Sequence, residues 1–155
     1  MKVRIHTLWR MPVYCMAASY ISALATVYLG GYFFLTRTPG ADGVTVSIDP
    51  VRSMIFDGVL FLTVLLVGGF WIFRSMTKME LGISAGITIG IYLLLSLLQR
   101  FIPGFQPGVT EAFIYTWQGN LRSIIWKLTD QGDLARAISY LAPLLFIPFG
   151  RKRED

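Results

Sequence analysis

Two reactive residue types are nearly missing from this sequence, which holds one cysteine, Cys15, and one histidine, His6. A single cysteine closes no internal disulfide and forms no dithiol redox centre. Clusters of His and Cys at metal-ligand spacing are absent too. The histidine lies in the N-terminal flank, and no two aspartates share an apolar block, so no nucleophile–base pair or carboxylate dyad is spelled out. Charge is scarce as well: Asp, Glu, Lys and Arg make up 15% of the 155 residues, where soluble chains carry roughly 25%. These absences lead to the expectation of a non-enzymatic protein without a cofactor.

What fills the chain is apolar residues, 54% of the total, gathered into long blocks instead of the half-apolar faces of soluble helices. The block at 11–36 contains no charge and as a helix measures about 39 Å, enough to cross a hydrocarbon core of about 30 Å. Its apolar stretch is too long for a signal peptide and no small-residue cleavage site closes it, so it reads as an uncleaved span. Blocks at 54–73 and 81–99 are also long enough, the former interrupted only by Asp57. Between the first two lies a polar loop, 37–53, with turn chemistry at Pro39-Gly40, Asp42-Gly43 and Asp49-Pro50. Alternation of Val44, Val46 and Ile48 with Thr45 and Ser47 allows a short extended piece there.

After Arg100 the pattern changes. Pro103-Gly104 and Pro107-Gly108 signal turns, and Thr110 with Glu111 resembles a helix start. Across 112–129 the apolar residues Ile114, Trp117, Leu121, Ile124, Ile125 and Leu128 share one face. Gln118, Asn120, Arg122, Ser123 and Lys127 fall mostly on the others. That amphipathic pattern predicts a helix lying in the membrane interface, stopped near Gly132. The last block, 134–150, with Asp133 as N-cap, has fourteen uncharged residues between Arg136 and Arg151 and two prolines, Pro143 and Pro148. It reads as a fourth, short span that relies on snorkelling of Arg136, or as a re-entrant or interfacial hairpin. The expected fold is thus an all-α integral membrane protein, one membrane domain over 1–155. It has four transmembrane helices, with an amphipathic interfacial helix within the outer segment 100–132.

The net charge of +5 does not point to nucleic acid, because the basic residues sit at the ends of apolar blocks. With the termini inside, Lys2, Arg4, Arg10, Arg74, Lys78, Arg151, Lys152 and Arg153 crowd three short flanks. Arg37, Arg52, Arg100, Arg122, Lys127 and Arg136 spread over two longer outer segments. The density rule then favours both termini on the cytoplasmic face of a plasma or inner membrane. Trp9 and Trp71 fall near the inner boundary, Trp117 and Trp126 near the outer, as interfacial anchors.

Three features stand out within the spans. Gly82, Gly86 and Gly90 recur every four residues, a spacing that puts a side-chain-free groove on one helix face and lets another helix approach closely. The simplest partner is the first span, through Ala18, Ser22 and Thr26; a second copy or another membrane protein is the alternative. Asp57 is the one carboxylate inside an apolar block. It reads either as a boundary residue paired with Arg52 or Arg100, or as an ion or proton site facing Ser22, Ser84 or Thr88. Glu80 at the start of the third span suits a helix N-terminus. The small four-span families with recognisable chemistry are not resembled: quinone-linked thiol oxidoreductases need paired cysteines, small multidrug exporters an acid in the first span, and lipoprotein signal peptidases two aspartates. The functional expectation is a small scaffold or accessory subunit in contact with lipid and with itself or another membrane protein. An oligomeric transporter or channel using Asp57 is the rival.

Overall fold

The structure, a computed structural model, describes residues 5–40, 43–102 and 114–151. The proposed helix start at Thr110 and Glu111, the turn signals at 103–108, and Lys2, Arg4, Lys152 and Arg153 lie outside the described residues.

The chain is mostly helical. A turn of helix, α1 (Ile5–Leu8), leads into α2 (Arg10–Phe33). Two strands follow, β1 (Leu35–Gly40) and β2 (Gly43–Ile48), paired antiparallel from Leu35 opposite Ile48 to Gly40 opposite Gly43. The alternation of Val44, Val46 and Ile48 is therefore that of a hairpin strand, exposed along its whole length. Asp49 then caps α3 (Pro50–Val67): its carboxylate accepts the Val51 and Arg52 amides, and Pro50, lacking a donor, fits the first helical position.

At its far end α3 widens into a π-helical turn, Gly68–Ile72, closed by the Phe73 amide donating to the Gly68 carbonyl at 2.9 Å. Two features accompany the widening. The Tyr14 hydroxyl donates to the Val64 carbonyl at 2.6 Å, and Gly68 and Gly69 let aromatic rings come within reach of the backbone. A Cβ added at Gly69 would lie 2.5 Å from the Phe149 ring. After the turn, Thr77 and Glu80 form a reciprocal capping box that starts α4 (Lys78–Phe101). Glu80 thus acts where the sequence placed it, at a helix start, through a backbone amide.

Three of these helical stretches, His6–Phe33, Pro50–Ile72 and Lys78–Phe101, are long and apolar enough to cross a membrane. The rest departs from the sequence reading in two ways. First, the amphipathic segment forms α5 (Thr116–Thr129), but it is not confined to the surface. It packs against α2 and α3, with Trp117 wholly buried, and only its last turn, from Trp126, is exposed. Trp117 stacks on Phe61 (centroids 5.5 Å apart, planes 5° apart), touches Phe146, and its indole N–H reaches the Tyr92 hydroxyl at 3.3 Å. The expected anchor role of Trp117 is therefore corrected: the ring is the centre of the core, and burying so large a surface outweighs an interfacial position. Trp9, Trp71 and Trp126 are exposed.

Second, the last block is not one α-helix. α5 ends at Asp130, whose left-handed φ of 55° turns the chain. α6 (Gly132–Tyr140) begins at Gly132, so this glycine opens a helix and does not stop one, and Gln131 stands at the cap position expected of Asp133. Beyond Leu141 the chain tightens into a 3-10 helix, Ala142–Phe149. Pro143 brings no N–H for the Ser139 carbonyl, which ends the α-helical ladder there.

The ends of these elements define two ends of the bundle. At the basal end Arg10 donates to Ser75 at 3.1 Å, and Arg151 pairs with the backbone around Thr77: its amide reaches the Met76 carbonyl at 3.0 Å. Gly150 allows that contact, since a Cβ there would sit 2.9 Å from the Lys78 amide nitrogen. At the hairpin end Lys127 meets Ser53. The segment from Gly132 to Arg151 hence runs the length of the bundle. Replacing Gly69 with Val should force the Phe149 ring out of place and lower stability by about 1–3 kcal/mol, read as a drop in the thermal unfolding midpoint of the detergent-solubilised protein.

Candidate functional site

α5 climbs alongside α3 in the opposite direction. Positions 123 and 127, one turn apart, therefore face positions 53 and 57, also one turn apart. An ion pair spans this seam. The Asp57 carboxylate accepts the Ser123 hydroxyl at 2.7 Å and the Lys127 ammonium at 3.3 Å, and the same ammonium donates to Ser53 at 2.9 Å. Asp57 is 8% exposed. Beside it Ile124 lies over Gly58, in van der Waals reach of a Cβ built there.

The partner expected for Asp57 was Arg52 or Arg100, and this is corrected. Arg52 pairs with Asp49 at 3.4 Å in an exposed contact, and Arg100 is exposed. Lys127 takes the role because α5 is inserted in the bundle, which places its cation at a depth that residues flanking the helix ends do not share. The other imagined surroundings of Asp57 do not assemble either. Ser84 donates to the Leu8 carbonyl, and Thr88 to the Ser84 carbonyl at 2.9 Å.

The glycine line has a different outcome. A Cβ built at Gly82, Gly86 or Gly90 meets nothing within 4 Å, so among the described residues no helix occupies that face. The expected intrachain seam with Ala18, Ser22 and Thr26 is not formed. Ala18 and Ser22 are buried, and Thr26 turns its hydroxyl back to the Ser22 carbonyl at 3.0 Å. α4 instead buries the opposite side, through Leu81, Ser84, Ala85, Thr88 and Tyr92.

A polar interior surrounds Trp117 that the sequence reading missed. Ser19 accepts the Trp117 amide at 3.4 Å and donates to the Ile114 carbonyl at 3.0 Å, tying the start of α5 to α2. Gln118 is 1% exposed, and among the described residues neither end of its amide has a hydrogen-bond partner. The Ser22 hydroxyl, the Asn120 amide nitrogen and the Gln99 amide nitrogen are likewise buried without partners. Such groups are uncommon because each forfeits its hydration. The match of Ser53 and Asp57 with Ser123 and Lys127 turns one polar side of the amphipathic segment inward. Cys15 is buried and in no disulfide. Among the described residues no group of three His, Cys, Asp or Glu is placed to hold a metal ion.

The arrangement defines a class, a helical bundle with three apolar helices of membrane-crossing length and an inserted amphipathic helix. The chain matches no protein-family model, no curated protein and no solved structure.

Replacing Lys127 with Met should strand the Asp57 carboxylate and destabilise the protein by about 3 kcal/mol at most, given that both groups keep some solvent contact. Adding Asp57→Asn to it should restore most of the loss, as read from unfolding midpoints of the single and double variants.

Proposed function

We propose that this chain is a multi-pass membrane protein that acts without catalysis as an assembly element, pairing with a second copy through the glycine face of α4. The observation that carries the reading is that face itself. Gly82, Gly86 and Gly90 lie open in a row, flanked by the exposed apolar side chains of Met79, Ile83, Leu93 and Leu94. A groove without side chains between apolar shoulders suits close helix–helix contact in lipid, where dispersion and weak Cα–H···O contacts drive association. Two copies meeting through the same groove give a closed two-fold pair.

The membrane setting is supported by the exterior. Val27, Tyr28, Leu62, Phe70, Leu94 and Leu97 all project outward from the long helices, an apolar surface far beyond what water tolerates. A fourth crossing by the last block is supported by its geometry. The α-helical part supplies about 13 Å and the 3-10 part, with its greater rise per residue, about 16 Å. Together they approach the thickness of a hydrocarbon core. Arg10, Arg74, Lys78 and Arg151 at the basal end make that end the cytoplasmic one under the positive-inside rule, with both termini there, in a plasma or inner membrane.

Because the glycine face touches nothing among the described residues, Gly86→Leu should leave the fold intact and split the assembly. The expected result is a mass in nanodiscs or detergent that falls to one copy, with an unchanged helical circular dichroism signal. An unchanged mass would remove this reading.

A second reading is favoured by one observation, the buried amide of Gln118, which has no hydrogen-bond partner among the described residues. Polar groups in that position suit a bundle that admits a hydrated solute, as a transporter or channel using Asp57 does. Gln118→Leu separates the two. Under the assembly reading it removes an uncompensated polar group and raises stability by about 1–2 kcal/mol. Under the transport reading it removes a bonded one, lowers stability, and with Asp57→Asn abolishes solute uptake in proteoliposomes.

A further inference from the structure

At the hairpin end, the turn between α5 and α6 holds an open pocket of about 380 Å³, lined by Gly119, Arg122, Ser123, Trp126 and Gly132. Arg122 is half-buried there, and among the described residues it has no hydrogen bond and no ion pair. The carboxylates in the neighbourhood do not answer it. Asp57 is held by Lys127 and Ser123, while Asp130 and Asp133 sit exposed on the turn outside ion-pair distance. A guanidinium in that setting has lost part of its hydration and gained no counter-charge.

The other walls fit an anion with several oxygens. Gly119 and Gly132 carry no side chains, and a Cβ at either would meet nothing within 4 Å, so the backbone is open to a ligand. Gly132 begins α6, whose cap residue Gln131 makes no side-chain bond to the first-turn amides. The Ser123 hydroxyl donates its hydrogen bond to Asp57, which leaves the Arg122 fork as the main side-chain donor of the pocket. A planar fork of donors matches two oxygens of a phosphate and holds them bidentately. The Trp126 ring forms a flank along which the rest of such a ligand can lie.

We infer that this pocket binds a phosphate group, a monoester or diester, through Arg122. The inference is independent of the glycine-face reading. The phosphate belongs either to a phospholipid headgroup or to a soluble phosphate compound, and the chemistry of recognition is the same.

The test uses the full chain, delipidated in a neutral detergent, with tryptophan emission as the readout. Inorganic phosphate is titrated in one arm, mixed micelles of phosphatidylglycerol in a second, and monoolein, which lacks phosphate, in a third. A saturable change is expected in the first or second arm and none in the third. Saturation by inorganic phosphate identifies a soluble ligand, and saturation by phosphatidylglycerol alone identifies a lipid headgroup. Arg122→Gln should weaken the binding at least tenfold, and Arg122→Lys, which keeps the charge but not the fork, by less. Arg122→Gln removes a charge without a partner, so its unfolding midpoint should equal or exceed that of the unaltered protein. Absence of saturable binding in both phosphate arms, or Arg122→Gln binding as well as the unaltered chain, overturns the inference.

Discussion

The burial of Trp117 is the constraint on which the rest of the molecule depends. Its indole fills the space between α2, α3, α4 and the 3-10 segment, stacked on Phe61, touching Phe146 and donating to Tyr92. Phe146 in turn meets Phe73 and Tyr14 edge-on, which links the core to the π turn of α3 at the basal end. Edge-on and offset aromatic contacts add directional preference to area burial. One amphipathic segment is thereby converted from a surface element into a central one. With Trp117 fixed, α5 has to climb between α2 and α3, and the chain has to return along the bundle through α6 and the 3-10 helix.

The polar chemistry follows from that insertion. A helix carrying Gln118, Asn120, Arg122, Ser123 and Lys127 cannot enter an apolar bundle without placing some of these groups inside. Asp57 answers Lys127 and Ser123, so one acid that looks costly in its own helix becomes half of a pair. A buried pair adds little net stability, but either member alone is a liability; it fixes the register of α5 on α3. Among the described residues Gln118 and Arg122 receive no such answer, which leaves them free to bind.

Much of the helical layout was legible in the sequence because uncharged blocks of about twenty residues have few ways to satisfy their backbone groups except by coiling. The Glu80 helix start and the extended alternation of Val44, Val46 and Ile48 were legible too, whereas Asp49-Pro50, read as a turn, proves to be a helix cap. What was not legible is depth. Hydrophobic periodicity tells which side of α5 is apolar, yet a helix on a membrane surface and a helix inside a bundle share that pattern when the bundle supplies polar partners. The matching pairs at 53/57 and 123/127 carry that information, and it emerges only when the two helices are laid side by side. The glycine line is legible as a face, with the first span or a second copy as its partner, but sequence spacing does not state which side of α4 the neighbours take. In the last block, the prolines gave warning of a break; that Pro143 would lengthen the segment by turning it into a 3-10 helix was not foreseen.

The most direct test of the account follows the Trp117 indole itself. Replacing the exposed Trp9, Trp71 and Trp126 with Phe leaves Trp117 as the only indole among the four tryptophans of the chain. Its emission in lipid vesicles, titrated with iodide and with lipids brominated at successive acyl depths, reports what surrounds the ring. A core position predicts blue-shifted emission that neither iodide nor any brominated lipid quenches appreciably. Strong quenching by lipids brominated near the headgroup would put the ring at the membrane surface and contradict the inserted helix.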